Sequence, residues 1–283
     1  MPTLDDYKGQ TPAWCPGCGN FGILNAFKNA VVELGLEPHQ CTLVSGIGQA
    51  GKFPHYLKCN TFNGLHGRSL PVATGIKLSN HKMLVIAVAG DGDCYGEGGN
   101  HLLHAMRRNP DINLFVHNNQ IYGLTKGQPS PTSMEGMVTK NHPFGVFSEQ
   151  LNPIAMAVAL DCSFVARGFA GDTEQLAYLM RAAIMHKGFA ILDILQPCVT
   201  FNKINTYEWY KQRVYPIEAE YNPEDRVEAF KKALEWGDRI PTGIVYRNNR
   251  SILEERLPML KEMPLVRQSF DLHKLEATLK EFF

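Results

Sequence analysis

Five runs of β-type apolar residues recur along the first two hundred positions. They are Cys41 to Ser45, Met83 to Ala89, Ile112 to His117, Phe164 to Arg167 and Ala190 to Leu195. Segments of helical period separate or flank them: Phe21 to Leu34, Asn100 to Arg108, Pro153 to Leu160 and Thr173 to His186. The strand runs are close to continuously apolar rather than alternating, which is the pattern of strands buried on both faces. Strands alternating with helices predict an α/β fold with a mostly parallel sheet covered by helices on both sides. The sharpest unit is Met83 to Ala89, then a helix over Gly98 to Arg108, then Ile112 to Val116. Each strand of this unit runs into a polar loop at its carboxyl end, where open parallel sheets bind ligands.

Those two loops carry the chemistry. The first reads Gly90-Asp91-Gly92-Asp93 and the second Asn118-Asn119-Gln120-Ile121-Tyr122-Gly123, with 25 residues between Gly92 and Asn118. An Asp on one loop and an Asn on the next can hold one hard cation through oxygen, and magnesium held this way keeps positions open for phosphate oxygens. The glycines let backbone approach phosphate closely. Gly-Asp-Gly alone is a common turn and Asn-Asn alone a common loop. Together, each after a β-type run, they point to a phosphate-bearing cofactor.

The spacing resembles the thiamine diphosphate motif. That resemblance implies Asp91 and Asn119 as side-chain ligands of Mg2+, with the carbonyl of Ile121 as a third, and Gly92, Asp93, Gly123, Leu124 and Thr125 beside the diphosphate. Thiamine diphosphate brings its own reactive carbon, so the protein's task is to bind it, orient it and exclude competing reactions. Electrons released from a 2-oxoacid then need a route out.

Trp14-Cys15-Pro16-Gly17-Cys18-Gly19-Asn20 offers one. A Cys-x-x-Cys pair can bind zinc, act as a redox dithiol, or hold two corners of an iron–sulfur cluster. Zinc usually needs a second pair at short range, and none follows. A thioredoxin-like pair would follow an apolar strand, whereas Gly9 to Ala13 is irregular. Gln196-Pro197-Cys198 follows the apolar run Ala190 to Leu195, so Cys198 stands at a strand end and can reach back to the first pair.

With these residues the chain resembles the β subunit of a 2-oxoacid:ferredoxin oxidoreductase. The resemblance is carried, in order, by Trp14 to Asn20, Ser45-Gly46-Ile47-Gly48, Gly64-Leu65-His66-Gly67-Arg68, Gly90 to Asp93, Asn118 to Gln128 and Gln196-Pro197-Cys198. It implies one [4Fe-4S] cluster on four cysteines, of which Cys15, Cys18 and Cys198 carry over. The fourth does not: where the family reads Ser-Gly-Ile-Gly-Cys, this chain has Gln49. An amide is a poor ligand for thiophilic iron. Cys59, on the stretch leading to Gly64, is the expected substitute. Cys41 opens its strand at the far end, more than roughly 10 Å from the cofactor at about 3.3 Å per strand residue. The resemblance also implies Ile47, Gly48, Gln49, Ala50, His66 and Gly67 near the cofactor. His66, Lys52 and Lys126 are the candidate catalytic side chains, the two lysines as partners for substrate carboxylates.

Composition narrows the classes. The 283 residues carry 28 basic and 28 acidic side chains, which gives no electrostatic case for nucleic acid or an anionic membrane. No run of eighteen apolar residues is present and no secretory leader is recognisable, so a cytoplasmic protein is expected. Seven cysteines, an odd number, argue against a disulfide framework. Residues 1–200 read as the thiamine diphosphate- and iron–sulfur-binding domain. Residues 201–283 are richer in charge and read as an extension packing on the core or a partner, with a helix over Pro223 to Trp236.

The resulting expectation is a catalytic β subunit that oxidatively decarboxylates a 2-oxoacid, 2-oxoglutarate favoured, with coenzyme A and ferredoxin. No glutamate stands where it would activate the cofactor, so an α subunit is implied, in a dimer of αβ pairs. A non-redox thiamine decarboxylase subunit and a Cys-x-x-Cys metal-binding scaffold are the rivals.

Overall fold

The computed structural model describes residues 1–269 and 271–283. Eight strands form one sheet: β1 (Cys41–Ser45), β2 (Asn60–Asn63), β3 (Leu84–Gly90), β4 (Asn113–Asn118), β5 (Phe164–Phe169), β6 (Ala190–Leu195), β7 (Val214–Pro216) and β8 (Ile240–Arg247). Their order across the sheet is β2-β1-β3-β4-β6-β5-β8-β7. Every neighbouring pair is parallel except β5 with β8.

The helices are α1 (Asn20–Glu33), α2 (Ser69–Ser79), α3 (Gly99–Arg108), α4 (Pro153–Ala159), α5 (Thr173–Met185), α6 (Tyr207–Lys211), α7 (Arg226–Leu234) and α8 (Leu272–Lys280). Successive strand residues point to opposite faces, and both faces are buried. Ile86, Val88 and Phe115 pack with Ile23, Phe27 and Leu179 of α1 and α5. Val85, Ala87, Leu114 and Val116 pack with residues of α2, α3, α4 and α7 on the other side. Local chemistry sets the helix ends. Asp172 accepts from Gln175 N–H at the start of α5 and Asp225 from Val227 N–H at the start of α7. Asn109, left-handed at φ 57°, ends α3.

The helices predicted from periodicity appear within a few residues of their predicted ends. Elements that periodicity did not mark are β2, α2, α6, β7, β8 and α8. Residues 201–283 contribute β7, β8 and α7, so they extend the sheet itself at the β5 edge. Pro241 and Gly243 punctuate β8 and mask its strand character; Gly243 has φ 140°.

Register decides what the strand ends can build. Ser45 pairs with Val88, Gly90 with His117 and Asn118 with Leu195. The carboxyl ends of β1, β3, β4 and β6 are therefore level. The loops beginning at Gly46, Asp91, Asn119 and Gln196 leave one edge side by side.

Phe27 is fully buried and meets Phe53 and Phe115 edge-on, with ring centroids 5.5 and 6.4 Å away. Truncation at a fully buried aromatic costs about 3–5 kcal/mol. Phe27→Ala should lose stability on that scale in urea denaturation, whereas Tyr178→Ala on the exposed face of α5 should change it by less than about 0.5 kcal/mol.

Candidate active site

The level strand ends enclose a cleft with about 560 Å³ of free space. It is lined by Ile47 to Ala50 from the β1 loop, His66, Gly90 to Asp93 from the β3 loop, and Asn119 and Ile121 to Thr125 from the β4 loop. Among the residues expected near a cofactor, only Gly67 does not line it. Gly67 instead donates its N–H to Asp93 Oδ1 at 2.7 Å.

Two buried carboxylates shape the cleft. Asp91, 2% exposed, accepts at Oδ2 from the Ser130 hydroxyl at 2.5 Å and lies 2.7 Å from the Thr132 hydroxyl. Thr132 Oγ1 also lies 2.9 Å from Asn118 Oδ1, and its single proton can serve only one of these acceptors at a time. Burial pushes the Asp91 carboxyl up to about 6, against the lowering effect of the two hydroxyls. Asp93 accepts at Oδ1 from Ile47 and Gly67 N–H, while its Oδ2 is buried without a partner. Gly46 is required here: a Cβ would stand 1.9 Å from Asp93 Oδ2.

The β4 loop is held in a strained form. Gln120 is left-handed at φ 58°, a conformation that costs a non-glycine residue of order 1 kcal/mol or more. Its amide donates to Tyr210 Oη at 2.7 Å and its carbonyl accepts from Ser133 Oγ at 2.6 Å. Asn119 Oδ1 accepts from Ile121 N–H at 3.1 Å, and Asn202 from the C-terminal region donates to the Asn119 carbonyl. Beneath, Asn118 donates to Asp193, which also accepts from Tyr95 at 2.7 Å. His66 stacks on Tyr122 and lies 3.9 Å from Asp93 Oδ1. Tyr122 donates to the Gly92 carbonyl, and a Cβ on Gly92 would strike its ring at 2.3 Å. The residues fit a diphosphate carried by a metal ion: glycine backbone that a phosphate can approach, and oxygen ligands for the metal from two loops. Lys52 and Lys126 do not line the cleft. Lys126 is exposed on the turn that follows, at φ 75°.

A second cleft opens beside the first. Trp14, Cys15, Cys18, Gln196, Cys198 and Phe201 line it, and it shares Gln49, Asn119 and Gly123 with the cofactor cleft. The two cysteine segments are fastened together. Gly19 N–H donates to the Pro197 carbonyl at 3.2 Å, and the Gln196 amide donates to Cys18 Sγ at 3.3 Å. Trp14 Nε1 donates to the Gln49 carbonyl at 2.9 Å and ties the β1 loop to the cysteine loop. Burial raises the Cys18 thiol, and Cys198 and Cys15 add to that rise. Among the described residues, no three Cys, His, Asp or Glu side chains are yet drawn together as a metal-binding group.

Cys59 does not join them, which corrects the expectation for the fourth thiolate. Asn60 pairs with Thr42, so Cys59 stands opposite Cys41 at the amino ends of the strands. The thiol is pushed up to about 12, by burial first and then by Cys41. Distance along the strand, the argument that removed Cys41, removes Cys59 as well.

Comparison with known proteins places this geometry in a family. Residues 44–194 match the C-terminal TPP-binding domain of thiamine pyrophosphate enzymes, and residues 198–262 match the C-terminal domain of the pyruvate ferredoxin oxidoreductase β chain. The 2-oxoacid:ferredoxin oxidoreductase subunit β of a Sulfolobus species is 48% identical over 83% of this chain and 81% of its own. The chain belongs to the β subunits of the 2-oxoacid:ferredoxin oxidoreductases. Subunit KorB of Mycobacterium tuberculosis 2-oxoglutarate oxidoreductase is 45% identical over 71% of this chain and 56% of its own. A structure of the 2-oxoglutarate:ferredoxin oxidoreductase of Magnetococcus marinus, with 2-oxoglutarate, coenzyme A and succinyl-CoA bound, superposes with a TM-score of 0.92. It is 35% identical and covers 98% of this chain and 96% of that one.

Sequence reading of this β subunit missed Ser130, Thr132, Tyr122 and Asp193. The first two sit in a long irregular segment, and only the folded loop brings their hydroxyls to Asp91. No helix is long and apolar enough to cross a membrane among the described residues.

The Asp91 carboxyl sets a pH dependence. Folding raises it from 3.8 to about 6, so protonation stabilises the unliganded fold. That contribution is complete below about pH 4 and is lost as pH rises through about 6. Metal binding at Asp91 would run the other way, because a ligating carboxylate must be deprotonated. If Asp91 holds the magnesium of a thiamine diphosphate site, magnesium-dependent cofactor affinity should be flat above pH 7 and fall about tenfold per unit below about 6. Titration calorimetry across pH 5–8 should show this slope in the wild type and strongly weakened binding throughout in Asp91→Ala.

Proposed function

We propose that this β subunit binds thiamine diphosphate through Mg2+ held by Asp91, Asn119 and the Ile121 carbonyl, and carries one iron–sulfur cluster on Cys15, Cys18 and Cys198. Paired with an α subunit, in a dimer of αβ pairs, it cleaves a 2-oxoacid. Coenzyme A takes the acyl group, carbon dioxide leaves, and ferredoxin takes the electrons. The observation that carries this reading is the contact of the two clefts across Asn119, Gly123 and Gln49. A group that releases electrons would sit directly beside a group that accepts them. A non-redox decarboxylase has no use for the second cleft, and a metal scaffold has none for the first.

When bound, thiamine diphosphate supplies the carbon that attacks the 2-oxo group. The protein's own part is positioning and charge. Asp91 and Asn119 orient the metal, and Gly92 and Gly123 admit the phosphates to the backbone. Asp93, held by Ile47 and Gly67 N–H, fixes the β1 loop against the β3 loop. His66 stands at the cleft's rim, half-shielded by Tyr122 and near Asp93 and Glu97, where it can move a proton at the cofactor. Lys52 and Lys126, on the flanking segments, supply cations for substrate carboxylates. 2-Oxoglutarate, with two carboxylates, is the favoured substrate; the names of the KorB relatives and the Magnetococcus marinus complex support it.

Anaerobic turnover tests the reading. The αβ complex should reduce ferredoxin with 2-oxoglutarate and coenzyme A, while the isolated β subunit should be inactive. Cys198→Ser should lose bound iron and ferredoxin reduction together, and Cys59→Ser should keep both. Turnover by the lone β subunit, or iron loss in Cys59→Ser with retention in Cys198→Ser, would refute the assignment.

A further inference from the structure

The seven cysteines can be placed one by one. Cys15, Cys18 and Cys198 share one cleft. Cys41 is buried at the amino end of β1, with Tyr7 Oη 3.7 Å from its sulfur, and Cys59 faces it across the β1–β2 pair. Cys94 is buried behind the Asp91 loop in the core on the opposite face from Cys18. Cys162 is buried in that same core, its sulfur 3.5 Å from the Phe189 carbonyl. All four lie outside the cleft and inside well-packed surroundings, so no fourth thiolate of this chain reaches the other three. Gln49, at the position where the family carries its fourth cysteine, lines the cleft together with Asn119, Gln196 and Thr200, and its backbone carbonyl is pinned by Trp14 Nε1. Gln49 also lines the cofactor cleft.

Resting on the cluster reading above, we propose that the cluster of this β subunit is site-differentiated. Three of its irons are held by Cys15, Cys18 and Cys198. The fourth iron, at the Gln49 corner facing the cofactor cleft, has no thiolate and takes a solvent oxygen or another small exogenous ligand. Soft iron–sulfur corners favour thiolate, and an amide competes poorly with it. The iron at this corner is therefore exchangeable and is the one lost on oxidation. The balance is simple: one electron passes from the cluster to an added oxidant, one ferrous ion leaves, and three irons remain on the four sulfides and three cysteines. Removal of that electron needs no protein thiol, and added ferrous iron with a reductant reverses it.

Gln49→Cys is the test, because it returns a thiolate to the corner the structure leaves without one. Purified anaerobically as the αβ complex and treated with ferricyanide, the wild type should release one iron from each cluster and develop the EPR signal of an oxidised three-iron cluster. Ferrous iron with dithionite should abolish that signal. Gln49→Cys should keep its full iron and stay free of the three-iron signal, while Gln49→Ala should behave as the wild type does. Equal retention of iron by wild type and Gln49→Cys would overturn the proposal, with a thiolate from the α subunit as the physical explanation. Equal loss from both would overturn it too, since the labile iron would then lie at another corner. Absence of iron from wild type and Gln49→Cys alike would instead remove the cluster reading on which the proposal rests.

Discussion

Burying a carboxylate without hydrogen-bond donors costs several kcal/mol, and the carboxyl edge of this sheet buries three. Asp91, Asp93 and Asp193 are each at most 3% exposed. Much of the surrounding structure is a response to them. Asp193 takes donors from Tyr95 and Asn118, with the buried Arg167 guanidinium adding charge from the neighbouring strand. Asp93 draws the N–H groups of two loops onto one oxygen, which forces glycine at position 46. Asp91 draws Ser130 and Thr132 back across the strand ends, and so folds the long connection after β4 over the site. One oxygen of Asp93 remains without a donor, packed against Gly46, and burial raises its carboxyl above the ordinary range.

The core was legible because burial on both faces writes itself as apolar runs of strand length, and helices between them repeat at helical period. The glycines beside Asp91 and Asn119 were legible for a related reason, since close backbone approach excludes most other residues. Elements whose sequence does not reflect their burial were hidden. β2 reads Asn60-Thr61-Phe62-Asn63 and is exposed throughout, so nothing apolar marks it. Missing that strand had a chemical cost: with Cys59 read as part of a loop, its position at the wrong end of the sheet could not be seen.

The hydroxyls that hold Asp91 show a different limit. Thr132 lies 41 positions from Asp91 and touches it only because Gln120 turns the chain through a left-handed conformation that Tyr210 and Ser133 secure. No local pattern encodes such a contact. The same holds for residues 201–283. Their charge suggested an external wrap, whereas β8 is a buried strand whose proline and glycine obscure it and whose partner, β5, precedes it by some seventy positions.

The distance along the chain between the two halves of the cysteine cleft has a consequence for biogenesis. Gln196 and Cys18 are 178 positions apart yet in contact, and four parallel strands must be laid side by side before the loop at 196 can meet the loop at 15. Parallel pairing of this kind is slow and is completed late in folding. A zinc finger gathers its ligands within one local segment and can fold around its metal. Here the thiols emerge from the ribosome far apart, and the cradle exists only once the sheet is assembled through β6. Any metal that this cleft takes therefore could not nucleate the fold; it would meet a sheet that is already built.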